Sequence, residues 1–201
     1  MPLATAINGA TRRVPVWAVW VAGLAPVPWL VWQAANGGLG VEPVEALEHR
    51  LGELALQILI ASLAVTPLRR HLGVNLIRFR RALGLLAFAY VALHLAVWLL
   101  LDVQTLSRVW EDIVKRPYIT VGMAGFLLLL PLAITSNDWS VRRLGAAGWR
   151  RLHLLAYPAA ILGAVHYVML ARGVQLEPLL YLAAILGLLA LRLRLPRRQA
   201  A

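Results

Sequence analysis

The sequence predicts an all-α integral membrane protein: a six-transmembrane-helix bundle forming a single transmembrane domain over residues 1–201. Three observations predict it. Hydrophobic residues make up 61% of the chain, and Asp, Glu, Lys and Arg only 14%. Soluble domains run near half apolar and a quarter charged. The charged residues also leave six long gaps. Finally, the basic residues fall on alternate sides of those gaps.

The gaps are 14–41, 54–68, 82–101, 117–137, 152–171 and 178–191. About 20 apolar residues carry a helix across a hydrocarbon core of roughly 30 Å. Four gaps reach that length. The second and last are short and need tilt or flanking residues. The expected helices are 14–36, 51–68, 82–101, 117–136, 151–171 and 178–195, the last if Arg192 and Arg194 snorkel. Arg12 and Arg13 ahead of the first gap look like the start of a signal peptide. The run is too long for one and no A-x-A site follows, so it reads as a membrane helix. Pro15, Pro26 and Pro28 should delay or kink it. A barrel is excluded, because the apolar runs do not alternate.

Net charge is +11, and Lys115 is the single lysine. So little polar material cannot build a solvated nucleic-acid face. The charge instead orients the chain. With six spans, 15 of the 20 basic residues share a side with both termini, and eight of the nine acids lie opposite. The termini are therefore expected in the cytoplasm, with the chain multi-pass. No repeat, linker or domain boundary is visible. The loops around 36–50 and 102–116 are too short for a folded domain. Without cysteine there is no disulfide, no iron–sulfur cluster and no covalently attached haem.

Ionisable residues inside spans are rare and usually functional. His94 lies in the third expected helix; His153 and His166 lie in the fifth. His49 and His71 read as solvated loop residues. Helices three and five run in parallel, each opening after an arginine pair. His94 is 14 residues beyond Arg80 and His166 is 16 beyond Arg150. At 1.5 Å per residue both lie about 21–24 Å deep, level with each other. Two facing imidazoles at one depth suit the axial positions of a b-type haem. A lone intramembrane histidine is more often a hydrogen-bonded packing residue; the level pair is what changes that reading. His153 lies about 20 Å nearer the cytoplasm and could serve a second haem or simply be hydrated. No second histidine stands opposite it; Arg80 or Arg81 occupies that level. Arg80 could pair a haem propionate or approach the iron. His153 and His166 point about 220° apart on an ideal helix, and Pro158 between them can alter that. The tryptophans read as an aromatic belt, and Gly84, Gly122, Gly125, Gly163 and Gly187 as close helix contacts. There is no dinucleotide or P-loop motif, so electrons must come from a partner reductase or a quinol.

Several short motifs recur together: Gly37-Gly38-Leu39-Gly40, His49 with Gly52, Thr66-Pro67-Leu68, and Arg80-Arg81 with Leu83-Gly84-Leu85 and His94. Arg116-Pro117-Tyr118, Thr135-Ser136, Leu144-Gly145, Trp149, Leu152-His153, Tyr157 and His166-Tyr167 follow. In this order and spacing the chain resembles the MsrQ (YedZ) family, haem-binding membrane subunits of bacterial periplasmic methionine sulfoxide reductase systems. These belong to the ferric-reductase-like transmembrane group. The resemblance implies a ferric-reductase-like haem-binding core with haem b and FMN. It implies electrons drawn from the respiratory quinone pool. They would pass to a periplasmic molybdopterin-containing methionine sulfoxide reductase subunit, in a heterodimer that repairs oxidised envelope proteins. Carried onto this sequence, His94 and His166 would ligate an outer haem, and His153 with Arg80 would serve an inner site.

Two rivals follow. One is a cytochrome b subunit of another respiratory dehydrogenase, or a ferric-reductase-like core, separable by which periplasmic partner co-purifies. The other is a small transporter, which predicts acidic residues within the spans; none is expected there.

Overall fold

Proline and glycine set where the helices start and stop. The computed structural model describes residues 2–171 and 173–192. Arg172, Arg194, Arg197 and Arg198, and positions 193–195 of the sixth expected helix, lie outside them. Helix α1 (Pro2–Arg13), where no helix was expected, stops short of Pro15, which is extended (φ −70°, ψ 152°). α2 (Val16–Leu24) and α3 (Pro26–Ala35) then run on as one rod. Ala25 keeps helical dihedrals, and Pro26 takes the first turn of α3, where an N–H would be unpaired anyway.

α4 (Pro43–Leu72) is longer than the uncharged stretch that announced it. Pro43 opens it, and Leu47 and Leu51 bury against Leu30 and Tyr90. That packing carries the helix two turns past the first charges. His49 and His71, expected in loops, therefore both lie within α4. Gly73, at φ 70°, ends the helix, and the Val74 N–H returns to the Leu68 carbonyl at 3.2 Å.

α5 (Arg80–Val97) follows the 3₁₀ turn Ile77–Phe79 and runs into a π-helical turn, Trp98–Val103. α6 (Leu106–Lys115) occupies what the sequence presented as a loop. Its Val109 and Ile113 pack against Trp98, Val103 and Ile119. α7 (Pro117–Ile134) starts on a proline. α8 (Asp138–Leu152) is capped by the Asn137 side chain, which accepts from the Ser140 N–H, and is broken at Gly145 (φ 68°). The 3₁₀ turn His153–Leu155 joins it to α9 (Ala156–Leu170). Pro158 is placed so that it cannot donate to the Leu154 carbonyl. α10 (Leu176–Ala190) completes the described helices.

By length and composition, five helical segments can cross a membrane: Val16–Ala35, Pro43–Leu72, Ile77–Val103, Pro117–Ile134 and Asp138–Leu170. Leu176–Ala190 is apolar but, at 15 residues, reaches only about 22 Å.

α4 packs on α5 and α7 on α9; α5 touches α7, and α10 covers α9 and α4. Leu56, Leu59, Leu63, Ala87, Ala160, Ala164 and Ile185 form the central core. The small alanines let backbones approach closely, as packing between apolar helices requires. Trp17, Trp29, Leu127 and Leu180 point outward.

One end of the bundle gathers arginine-rich segments. Asn8 Nδ2 donates to the Gly73 carbonyl at 3.0 Å, and Arg78 to the Arg12 carbonyl at 3.0 Å. Arg81 pairs with Asp138 at 2.6 Å. His71 Nε2 lies 3.4 Å from the Leu191 carbonyl oxygen.

Candidate functional site

His94 on α5 and His166 on α9 come together between the two helix pairs. Their ring centroids are 6.2 Å apart, with the rings nearly perpendicular (78°). His94 Nδ1 is 2.9 Å from the Glu48 carbonyl oxygen on α4. His166 Nδ1 is 2.7 Å from the Tyr118 carbonyl oxygen on α7. A carbonyl only accepts, so each Nδ1 carries the proton and donates. Each Nε2 is left with a free lone pair, the tautomer a metal ligand needs.

The same local device builds both halves. Four residues beyond Glu48 stands Gly52, and four beyond Tyr118 stands Gly122. A Cβ on Gly52 would lie 3.2 Å from His94 Nδ1, and one on Gly122 only 2.8 Å from His166 Nδ1. Each glycine makes the space in which the ring reaches past its helix surface to the carbonyl one turn back. Sequence reading gave Gly122 a packing role and missed the carbonyls altogether. A glycine four residues after the accepting carbonyl is a signal visible only once the facing histidine is known. The chain has no sequence repeat, yet the structure repeats this arrangement.

The pair can be tested against a porphyrin iron. Imidazoles sharing one ion through Nε2, at about 2.0 Å per bond, place their ring centroids about 6 Å apart. The observed 6.2 Å fits. Among the described residues no group of three or more His, Cys, Asp or Glu could hold a metal ion. Two imidazoles alone are too few for a bare ion. They suit an iron that arrives with four ring nitrogens of its own.

His153 does not join this pair. It occupies the 3₁₀ turn before α9, stacked on Trp149 with centroids 3.7 Å apart. Its Nδ1 is 3.0 Å from the Trp149 carbonyl oxygen and its Nε2 is 3.5 Å from Ser136 Oγ. The Arg80 guanidinium is near enough for its charge to act on the ring. Among the described residues its ring contact is with Trp149 and not with another histidine.

One expectation needs correcting. The spans were expected to hold no acid, but Glu45, Glu48 and Glu53 lie within the Pro43–Leu72 segment, Asp102 within Ile77–Val103 and Asp138 at the start of Asp138–Leu170; the Glu53 side chain is only 18% exposed. Its carboxylate accepts from Tyr167 Oη at 3.2 Å and from Arg50 at 3.0 Å. It is paired with Arg50 and hydrogen-bonded to Tyr167, which is how an apolar helix tolerates a carboxylate.

Comparison with known proteins agrees with the geometry. Residues 50–164 match the family model described as ferric reductase like transmembrane component. The chain is 49% identical over 182 residues to an Agrobacterium fabrum protein, covering 90% of this chain and 84% of that one. It is 46% identical to a Brucella ovis protein and 44% to a Brucella anthropi protein, in each case over 90% of this chain and 82% of the relative. All three are named protein-methionine-sulfoxide reductase heme-binding subunit MsrQ. No solved structure matches. The chain belongs to the MsrQ family of the ferric-reductase-like transmembrane proteins.

Proposed function

We propose that this chain is a haem b-containing electron-transfer subunit of the bacterial inner membrane. It takes electrons from the respiratory quinone pool and passes them to a periplasmic, molybdopterin-containing methionine sulfoxide reductase in a heterodimer. The observation that carries this reading is the His94–His166 pair: two imidazoles 6.2 Å apart, each with Nδ1 facing a backbone carbonyl. The names of the 44–49% identical relatives support the same direction.

In this reading α10 is the sixth span, extended by residues beyond 192, and both termini are cytoplasmic. The chain then forms one transmembrane domain. His94 and His166 hold the outer haem, and His153 with Arg80 serves an inner site. FMN is part of the same reading, without assigned ligands.

A haem supplies one-electron transfer at a fixed position. The protein's part is to hold two protonated Nδ1 atoms in place, which leaves both Nε2 lone pairs free. The glycines and carbonyls fix the ring planes, and the apolar core keeps water out. No proton needs to move on these residues for an electron to pass.

A visible spectrum with haem quantitation on the purified full-length chain tests the proposal. It requires a Soret band that shifts on reduction with a quinol. Colourless protein from haem-replete cells would sink it. Co-purification of a molybdenum-containing periplasmic subunit separates this reading from another respiratory cytochrome b.

A further inference from the structure

Thr66-Pro67-Leu68 has no part in the outer site. In a helix, the N–H of residue 67 would bond the carbonyl of Leu63, four residues back. Proline has no N–H, so that carbonyl is freed. Arg192, just past the end of α10, takes it with Nη2. Arg192 Nη1 donates to Tyr157 Oη on α9 at 3.1 Å, and the guanidinium carbon sits 5.3 Å from the centre of the Tyr157 ring. The guanidinium is thus fixed where α4, α9 and α10 meet.

Its third group is unused. Arg192 Nε is buried and lacks a partner, alone in this among the side-chain atoms of the described residues. Arg80, at the start of α5, lies within electrostatic range of Arg192 and of Tyr157. The ion pairs of the described residues engage Arg50, Arg81, Lys115 and Arg116, and none engages Arg80 or Arg192. A fixed guanidinium with a buried, unused N–H, and a second guanidinium within electrostatic range, call for an anion at the edge of an apolar bundle. The guanidinium fork is shaped for carboxylate or phosphate oxygens.

We propose that Arg80 and Arg192 form an oxyanion site that holds the carboxylates or the phosphate of a cofactor seated beside His153. The proposal deepens the inner-site reading above and rests on it. Pro67 and Tyr157 act as positioning residues: one frees the acceptor, the other anchors the fork.

Two ligand pairs differ only in the anion: protohaem against its dimethyl ester, and FMN against riboflavin. Binding of each is measured to the full-length chain in neutral detergent. We expect the anionic member of one pair to bind about tenfold or more tightly, the value of a charge-assisted hydrogen bond or two. A preference in the haem pair assigns the site to carboxylates, and one in the flavin pair to phosphate. Arg192→Gln should abolish the preference while haem at His94 and His166 is retained, which reports an intact fold. Should that variant not fold, Tyr157→Phe, which removes one anchor only, should weaken the preference. The proposal is overturned if neither pair is discriminated, or if discrimination survives these changes. Orthophosphate alone is the third probe. It should raise the melting temperature of wild type but not of Arg192→Gln, even in protein lacking haem. That result in colourless protein would sink the haem reading and leave the anion site standing; no effect in colourless protein would sink both.

Discussion

The two ends of the bundle use histidine in opposite ways. At His94 and His166 the design is paired and closed. Each ring has a carbonyl behind it and a glycine beside it, and the two face each other at 6.2 Å. At His153 it is single and open. The ring leans on Trp149 of the preceding helix, α8, touches Ser136 weakly at 3.5 Å, and has the charge of Arg80 within range instead of a second imidazole. The difference separates a histidine held by several helices at once from one oriented by its own stretch of chain. Four helices must agree to build the first kind, whereas one turn of chain suffices to orient the second.

That contrast can be broken experimentally. The largest effect should come from His94→Ala or His166→Ala: haem per chain falls about tenfold or more, since an axial ligand outweighs the 10–100-fold of its outer partners. Undiminished haem in both would end the assignment. Gly122→Ala comes next. Its Cβ would sit 2.8 Å from His166 Nδ1, closer than atoms tolerate, so haem content should drop several-fold, about as when an outer-shell partner is lost. Gly52→Ala, at 3.2 Å from His94 Nδ1, should do less. An equal or reversed order would mean that the two half-sites are not built alike. His153→Ala should cost about half of the bound haem at most, because it touches only the inner of two sites. A larger loss would make the inner end the dominant one. Gly187→Ala is the smallest: nothing lies within 4 Å of its added Cβ, so haem content should be unchanged.

Much of this was legible beforehand because a bilayer simplifies a sequence. Gaps between charges mark the apolar helices, and the level of His94 with His166 follows from a fixed rise per residue. Helix ends were less legible. The outer turns of α4 carry Glu45, Glu48, Arg50 and Glu53, so a search for uncharged runs stops at 54. The structure continues to Pro43 because Leu47 and Leu51 are buried against other helices. The loop at 102–116 hid α6 for the same reason: its apolar side is covered by Trp98, Val103 and Ile119. Position in sequence also misplaced His49 and His71, whose setting in α4 depends on where the helix starts and on Gly73 ending it.

The sequence by itself determined the helices, the segregation of charge, and the candidate histidines, because these depend on composition and on one-dimensional spacing. Only the tertiary structure decided which groups meet. That Nδ1 of each histidine would find a carbonyl 46 or 48 residues earlier depends on how four helices are rotated against one another. So does the capture by Arg192 of the carbonyl that Pro67 leaves free. Helix rotation is fixed by side-chain packing across the bundle, and no spacing along a single helix contains that information.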